Sequence, residues 1–287
     1  MASRRILVTG AAGFFGSRFV RRFAATDEIL ATDVGDLDIT DATAVGAVVS
    51  AFRPDLVVHA AAVAATAFCD AHPDVARRIN VDGAVALARA AEAVGAGFVL
   101  ISSEQVFNGN PEPGPHAESD RAVPDTVYGA TKLTAEAELA AIVEKLWVLR
   151  FTWLFGLPER GCGMSPGVPW NIAQALLAGR RLRERTDEFR GITYVHDLLD
   201  RFDAILDCPP ATYHVGSAND LSRFELAKLT LDAFGVGDRA EEVLTPVTGA
   251  KRRDVRLSHE KLARAGVTFP PSAEAIARCV AEFRFTV

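Results

Sequence analysis

Residues Thr9-Gly10-Ala11-Ala12-Gly13-Phe14-Phe15-Gly16 stand between a short aliphatic run, Arg5-Ile6-Leu7-Val8-Thr9, and a helix-like stretch from Ser17 to Ala25. Glycines at 10, 13 and 16 permit a tight turn, close backbone approach to a pyrophosphate, and packing of helix on strand. The N–H groups and dipole at the start of that helix favour an anion there. A Gly-rich loop alone is weak evidence. This one follows a strand, opens a helix, and is answered by Asp33, 17 residues beyond Gly16 at the end of the next strand-like run. The stretch therefore reads as a dinucleotide-binding turn, with Gly10, Ala12, Gly13, Phe14, Phe15 and Gly16 against the cofactor. The Asp33 carboxylate accepts hydrogen bonds from ribose hydroxyls and repels a 2′-phosphate, so of NAD and NADP it favours NAD. Arg18 softens that preference if it swings towards a phosphate.

Outward from this turn, short aliphatic runs alternate with Ala-rich stretches of helical period. Strands are expected at Glu28–Asp33, Leu56–His59, Phe98–Ser102 and Trp147–Arg150. Helices are expected at Asp41–Phe52, with Asp41 as N-cap, at Val75–Val94 and at Tyr128–Lys145. Apolar strands alternating with helices predict an α/β doubly wound parallel sheet covered on both faces, a Rossmann domain. Beyond Gly156 the texture changes: residues 158–169 are rich in Gly and Pro, Asn171–Ala178 looks helical with Gly179 placed to end it, and 180–190 is strongly charged. Tyr213–Gly216 reads as a strand returning to the main sheet, and Ser222–Phe234 and Ser258–Ala265 as helices. The expected division is a dinucleotide-binding domain over 1–156, with a returning segment about 191–216, and a smaller, partly discontinuous C-terminal substrate-binding lobe over 157–190 and 217–287.

Composition narrows the class. The 287 residues carry 31 Lys plus Arg against 37 Asp plus Glu, a formal net charge of −6. That balance gives neither the nucleic-acid nor the anionic-membrane footprint, and no apolar run nears the roughly 20 residues of a membrane span. The opening residues lack a signal-peptide apolar region and cleavage site. Cys69, Cys162, Cys208 and Cys279 are too scattered for a zinc site or redox pair and too few for a disulfide scaffold. No metal is expected, and the location expected is cytoplasmic.

Tyr128 and Lys132 lie four apart on a predicted helix and so share a face. A phenol near pKa 10 seldom ionises at neutrality; a neighbouring ammonium is expected to bring its proton affinity closer to working pH. Such a pair donates a proton to a developing alkoxide or takes one from an alcohol. Ser102 and Ser103 end the fourth strand, where side chains emerge at the ligand crevice of an open α/β sheet.

The Gly-x-x-Gly-x-x-Gly spacing together with Tyr128-Gly129-Ala130-Thr131-Lys132 resembles the extended short-chain dehydrogenase/reductases. Leu37-Asp38-Ile39-Thr40-Asp41, residues Arg53 to Ala62 (RPDLVVHAAA), residues Leu149 to Gly156 (LRFTWLFG), and Arg252-Arg253-Asp254-Val255-Arg256-Leu257 are similar to the dTDP-4-dehydrorhamnose reductase branch, across nearly the whole chain. The resemblance implies a catalytic set of Tyr128, Lys132 and Ser103, the last holding the reacting oxygen. It places Asp38 and Ile39 beside the adenine, and Ala60, Ala61 and Ala62 along the ribose and phosphates. Asn80 would help organise the site, and Ser102, Tyr128 and Lys132 would also meet the cofactor. Ser103, Glu104, Gln105, Val106, Phe107 and Trp153 would bind substrate. The implied activity is NAD(P)H-dependent reduction, at C4, of a nucleotide-linked 4-keto-6-deoxysugar. The partners are that nucleotide sugar and, left open, a second copy in a homodimer.

Two departures bear on the substrate. Where the branch carries Ser-Thr-Asp-Tyr-Val-Phe, this chain has Ser102-Ser103-Glu104-Gln105-Val106-Phe107: the hydroxyl survives, while Gln105 replaces an aromatic of the sugar pocket. Dehydratases of the fold resemble Ser-Thr-Asp-Glu here, and an amide at Gln105 cannot act as their base. The loop Ala64-Ala65-Thr66-Ala67-Phe68 is apolar where the branch tends to be polar, which suits a deoxygenated sugar. One of Arg180, Arg181, Arg183 and Arg185 is a candidate for the substrate diphosphate. His196 and His214 read as structural. The alternatives are an epimerase or dehydratase that retains its NAD, and a non-catalytic nucleotide-binding regulatory subunit, of which the family has an example in the regulatory subunit of methionine adenosyltransferase.

Overall fold

The computed structural model describes residues 3–283. Six strands form the central sheet in the order Thr212–Val215, Leu146–Phe151, Gly97–Ser103, Leu56–His59, Arg5–Thr9, Glu28–Thr32. Pairing is parallel from Glu28–Thr32 through Arg5–Thr9 and Leu56–His59 to Gly97–Ser103, with Val8 opposite both Ala31 and Val58. The first strand lies second from one edge, between the second and third strands, and the chain reverses direction beside it, the place where open α/β sheets bind ligands. This is the doubly wound Rossmann sheet that the alternation predicts.

Both faces of the strands are apolar because helices cover both. Leu7, Val57, Phe98 and Leu100 pack with Leu87 and Leu139 in one fully buried cluster. Each such side chain contributes roughly 1.5–3 kcal/mol relative to exposure. Asp41 caps the helix Ala42–Phe52 by accepting from the Thr43 and Ala44 N–H groups at 2.9 and 3.0 Å. The helix expected over Val75–Val94 is not uniform: Pro73–Arg77 and Ala84–Ala93 are α-helical, and Arg78–Gly83 between them is a π-helical turn. The Tyr128 helix spans Val127–Ala140, starting under the Thr126 cap and ending five residues before Lys145.

Two compact units divide the chain. The first comprises residues 1–110, 121–150 and 206–213; the second, 111–120, 151–205 and 214–287. The expected boundaries differ: 111–120, 151–156 and 191–205 belong with the second unit, and only 206–213 returns to the first. Residues 1–2 and 284–287 of the expected segments lie outside the described residues. The second unit holds three two-stranded parallel pairs: Trp153–Phe155 with Ile192–Tyr194, Leu182–Arg185 with Leu244–Val247, and Glu188–Phe189 with Arg253–Asp254. The charged stretch 180–190 is thus largely extended. Gly179 ends the helix Val168–Ala178 in the left-handed region, φ 59°, and Ser222 and Glu225 form a capping box on Arg223–Ala233. Among the described residues no helix is long and apolar enough to cross a membrane.

Candidate active site

Gly10 sits at φ +70°, and a Cβ there would lie 2.7 Å from the Ala61 nitrogen and 2.8 Å from the Ala60 carbonyl carbon. The Gly-rich turn therefore presses against the backbone of Ala60 and Ala61 as it leaves the third strand, and the Ala60 N–H donates to the Thr9 carbonyl at 3.1 Å. Gly13 donates its N–H to the Gly10 carbonyl and is the N-cap of the helix Phe14–Phe23. Having no side chain, it leaves the first-turn amides open to an anion. Gly16 is buried within that helix, Phe14 is half-buried, and Phe15 is buried against Phe19.

Asp33 is tied into the turn: its Oδ2 accepts from the Ala12 N–H at 2.9 Å and its Oδ1 from the Val34 N–H at 2.8 Å. Arg18 is 1% exposed, donating to the Phe14 carbonyl at 3.0 Å, with its guanidinium 4.1 Å from the Phe14 ring. Asp38 is exposed, and hydrogen bonds from the Thr40 N–H and hydroxyl hold its carboxyl below the usual range. Ile39 is buried, its side chain against Gly83. An uncapped helix start, a backbone approach that excludes any side chain, and a carboxylate at the second strand's end together fit a dinucleotide. Gly10, Gly13 and the first helical turn would face its phosphates, and Asp33 a ribose.

Tyr128, Lys132 and Ser103, the candidate catalytic residues, lie in the same unit. Tyr128 is 8% exposed, and Ser103 lies near enough to its hydroxyl to favour loss of the phenol proton. Lys132 is 3% exposed, donates from Nζ to the Ile101 carbonyl at 2.9 Å, and lies 5.8 Å from the Tyr128 ring centre. Strand alternation separates the two serines. Ser103 meets Tyr128, and its Oγ accepts from the Gln105 N–H at 3.2 Å, capping the short 3₁₀ turn Glu104–Phe107. The Ser102 hydroxyl instead donates to Glu136 Oε1 at 2.5 Å, so it is committed inside the unit rather than offered to a cofactor.

Electrostatics correct one expectation. Burial raises the Tyr128 phenol to about 12, helped by Cys69 and Glu104 and only partly opposed by the Ser103 hydrogen bond. The lysine does not bring it towards neutrality. Burial also lowers Lys132, to about 8, against the favourable charge of Glu136. The phenol is therefore a held proton, available to an oxygen that gains charge beside it. His59, at the third strand's end, is fully buried, bonded to the Thr9 hydroxyl at 2.7 Å, and neutral, with its pKa near 3.

Asn80, on the π-helical turn, accepts from the Val63 N–H at 2.8 Å and donates to the Val63 carbonyl at 3.0 Å and to Thr131 Oγ1 at 3.1 Å. It fastens the loop that follows Ala62 to the Tyr128 helix. Several neighbours escaped the sequence reading. A Cβ on Gly129 would lie 2.5 Å from the Gln105 carbonyl oxygen, so glycine after Tyr128 lets the helix close on the 3₁₀ turn. Glu136 is one further helical turn beyond Lys132, and extending the four-residue spacing of Tyr128 and Lys132 points to it.

Other predicted residues are placed differently. Val106 and Phe107 are 0% and 1% exposed, with the Arg150 guanidinium 5.2 Å from the Phe107 ring; their side chains belong to the interior and are not presented to a substrate. Glu104 is buried beside Tyr128, and Gln105 is half-buried, accepting from Asn108 Nδ2 at 3.2 Å. Trp153 lies in the second unit, its ring 5.3 Å from the Arg190 guanidinium and 5.2 Å from that of Arg223. In the arginine cluster, Arg181 donates to the Glu241 and Leu244 carbonyls, and Arg185 to Asp187 and the Lys251 carbonyl. Those two are engaged within their own unit, whereas Arg180 and Arg183 are exposed.

Comparison with known proteins agrees with this geometry. Among relatives, a dTDP-4-dehydrorhamnose reductase of Mycolicibacterium smegmatis is 31% identical over 237 residues, covering 81% of this chain and 70% of that protein. The methionine adenosyltransferase 2 subunit beta of Bos taurus is 29% identical over 285 residues, covering 92% and 83%. The crystal structure of a dTDP-4-dehydrorhamnose reductase from Bacillus anthracis in complex with NADP superposes with a TM-score of 0.88 at 26% identity, covering 98% of this chain and all of that one. The family model described as RmlD substrate binding domain matches residues 4–285. With its six-stranded Rossmann sheet, its Gly-rich turn and its Tyr128–Lys132 pair, the chain belongs to the RmlD substrate binding domain family, the dTDP-4-dehydrorhamnose reductase-like branch of the extended short-chain dehydrogenase/reductases.

Proposed function

We propose that this chain reduces the C4 carbonyl of a nucleotide-linked 4-keto-6-deoxysugar, using a reduced nicotinamide cofactor, with Tyr128 as proton donor. The observation that carries the reading is the buried Tyr128 phenol, one helical turn from a buried Lys132 held by the Ile101 carbonyl and near enough to Ser103 for that side chain to act on its proton, in the unit whose first turn fits a dinucleotide. When bound, the cofactor supplies a hydride to the carbonyl carbon. The protein's own part is orientation and proton delivery. Ser103 donates to the carbonyl oxygen and Tyr128 gives it a proton as negative charge builds. The Lys132 ammonium, held by the Ile101 carbonyl, stabilises the phenolate left behind. Glu104 and Gln105 are assigned to the sugar side of that oxygen, and Trp153 stays a substrate-binding assignment in the second unit, read as the substrate lobe. The protonated phenol at rest is the form a reduction needs.

Loss of absorbance from reduced nicotinamide, followed with a panel of nucleotide-linked keto-sugars, tests this reading. Consumption of cofactor supports it; a chain that binds cofactor yet neither consumes it nor converts any sugar falls to the second reading, a nucleotide-binding subunit, which the methionine adenosyltransferase relatives favour. Two results are expected in that assay. The Lys132 ammonium is present below about pH 8 and lost above it, while Tyr128 stays protonated through the same range, so kcat/KM should fall as pH rises through about 8. A profile flat through that region would remove the cation from the mechanism. The preference assigned to Asp33 is for NADH. In Asp33→Ser the like charge facing a 2′-phosphate is gone, and a contact-range repulsion of about 1–2 kcal/mol is relieved. The NADH-to-NADPH ratio of kcat/KM should fall about tenfold, and an unchanged ratio would show that the carboxylate does not read the ribose.

A further inference from the structure

Tyr128, Lys132 and Glu136 follow one another at four-residue spacing on a single helix face. Glu136 is 7% exposed and takes part in two kinds of contact. Its carboxylate accepts from Arg150 Nε at 3.0 and 3.1 Å and from an Arg150 terminal nitrogen at 2.6 Å, a buried two-pronged ion pair. It also accepts the Ser102 hydroxyl at 2.5 Å. Arg150 is 6% exposed and is the last residue but one of Leu146–Phe151, the strand neighbouring Gly97–Ser103 in the sheet. The clasp thus joins three elements: the Tyr128 helix and the C-terminal ends of two adjacent strands.

What those strand ends carry gives the clasp its meaning. Ile101, one residue before Ser102, offers the carbonyl that receives Lys132. Ser103, one residue after, stands near enough to the Tyr128 hydroxyl to act on its proton. A hydrophobic contact could hold helix to strand, but it would not fix the strand's register or orientation to the few tenths of an ångström that hydrogen-bond directionality demands. We propose that Glu136 is a positioning residue. Through Ser102 and Arg150 it locks the end of the fourth strand against the helix, so that the Ile101 carbonyl and the Ser103 hydroxyl meet Lys132 and Tyr128 in register. The proposal rests on the reductase reading for its effect on turnover, and on geometry alone for its effect on Lys132.

The charge of Glu136 acts in the same direction. Lys132 is surrounded by Tyr128 and Glu136 on its own helix, Cys69 from the Thr66–Ala71 helix, His59 at the end of the third strand, and the Ile101 carbonyl. His59 is neutral, and burial raises the Cys69 thiol. Glu136 is thus the principal anion supporting the ammonium against burial.

The experiment separates positioning from stability. Removing one member of a buried ion pair strands the other, whereas replacing both by apolar side chains of similar length is often neutral for stability. The protein is compared with Glu136→Gln and with the double variant Glu136→Met/Arg150→Met. Lys132 is followed by NMR in protein carrying ¹³C-labelled lysine, which has only five lysines to assign, and kcat and KM are measured with NADH and a nucleotide-linked keto-sugar. The double variant should melt near the parent. In both variants the Lys132 titration midpoint should move about one pH unit or more below its parent value, with kcat down at least about tenfold and KM little changed. A double variant that recovers the parent midpoint and kcat makes the clasp a stability element only and overturns the proposal, as does a shifted lysine with unchanged kcat. If the parent turns over no keto-sugar, the reductase reading fails by itself, and the lysine titration still decides whether Glu136 governs Lys132.

Discussion

In Tyr128→Phe, kcat for keto-sugar reduction should fall by about 10³, within the 10²–10⁴ that a positioned acid contributes. The substitution removes one oxygen and little else. The ring's packing with Cys69 and Ala76 persists, and loss of one hydroxyl costs about 1 kcal/mol of stability at most, so the variant folds. Cofactor affinity should be nearly unchanged, because the Gly10–Gly16 turn and Asp33 carry it. That pairing of collapsed turnover with intact binding marks a chemical role rather than a structural one. Activity near the parent's would mean that another group gives the proton, and Glu104, buried beside the phenol, would be the next acid to test.

Gly10→Ala should be nearly as damaging by a different route. The added methyl needs the left-handed region, which costs an L-residue roughly 1–2 kcal/mol. It also meets the Ala60 and Ala61 backbone at 2.7–2.8 Å, where no flexible side chain can yield, and overpacking of that kind costs a further 1–3 kcal/mol or so. A loss of about 3 kcal/mol should appear in the urea midpoint, and NADH affinity, read by fluorescence quenching, should drop at least about tenfold as the turn is pushed outward. Parent-like values for both would show that the turn yields freely and that the close approach has no part in cofactor binding.

The sequence carried most of this fold because its signals are periodic and local. The alternation of apolar strands with helices, the glycines at 10, 13 and 16, and the spacing of Tyr128 and Lys132 each follow from repeat geometry that one segment contains. The π-helical turn at Arg78–Gly83 has no such signal, and the side chain it carries at Asn80 finds its partners, Val63 and Thr131, elsewhere in the chain. Ser102 and Ser103 are chemically identical, and only their positions against the Val127–Ala140 helix assign one to Glu136 and the other to the neighbourhood of Tyr128. Val106 and Phe107 follow Ser103 in a motif, yet the 3₁₀ turn that begins after Ser103 carries both side chains into the interior. The phenol's proton affinity was misjudged for a related reason. Spacing gives the nearness of a cation, whereas burial, the larger influence here, depends on everything packed around it.

In the proposed reaction, hydride leaves a reduced nicotinamide for good and arrives at the sugar's C4 while Tyr128 protonates the oxygen. Cofactor deuterated at the transferring position, incubated with a nucleotide-linked 4-keto-6-deoxysugar, measures this directly. One equivalent of cofactor should be oxidised per sugar, with deuterium at C4 of the product. Sugar converted without deuterium and without net cofactor oxidation would contradict the account and leave an enzyme that returns its hydride.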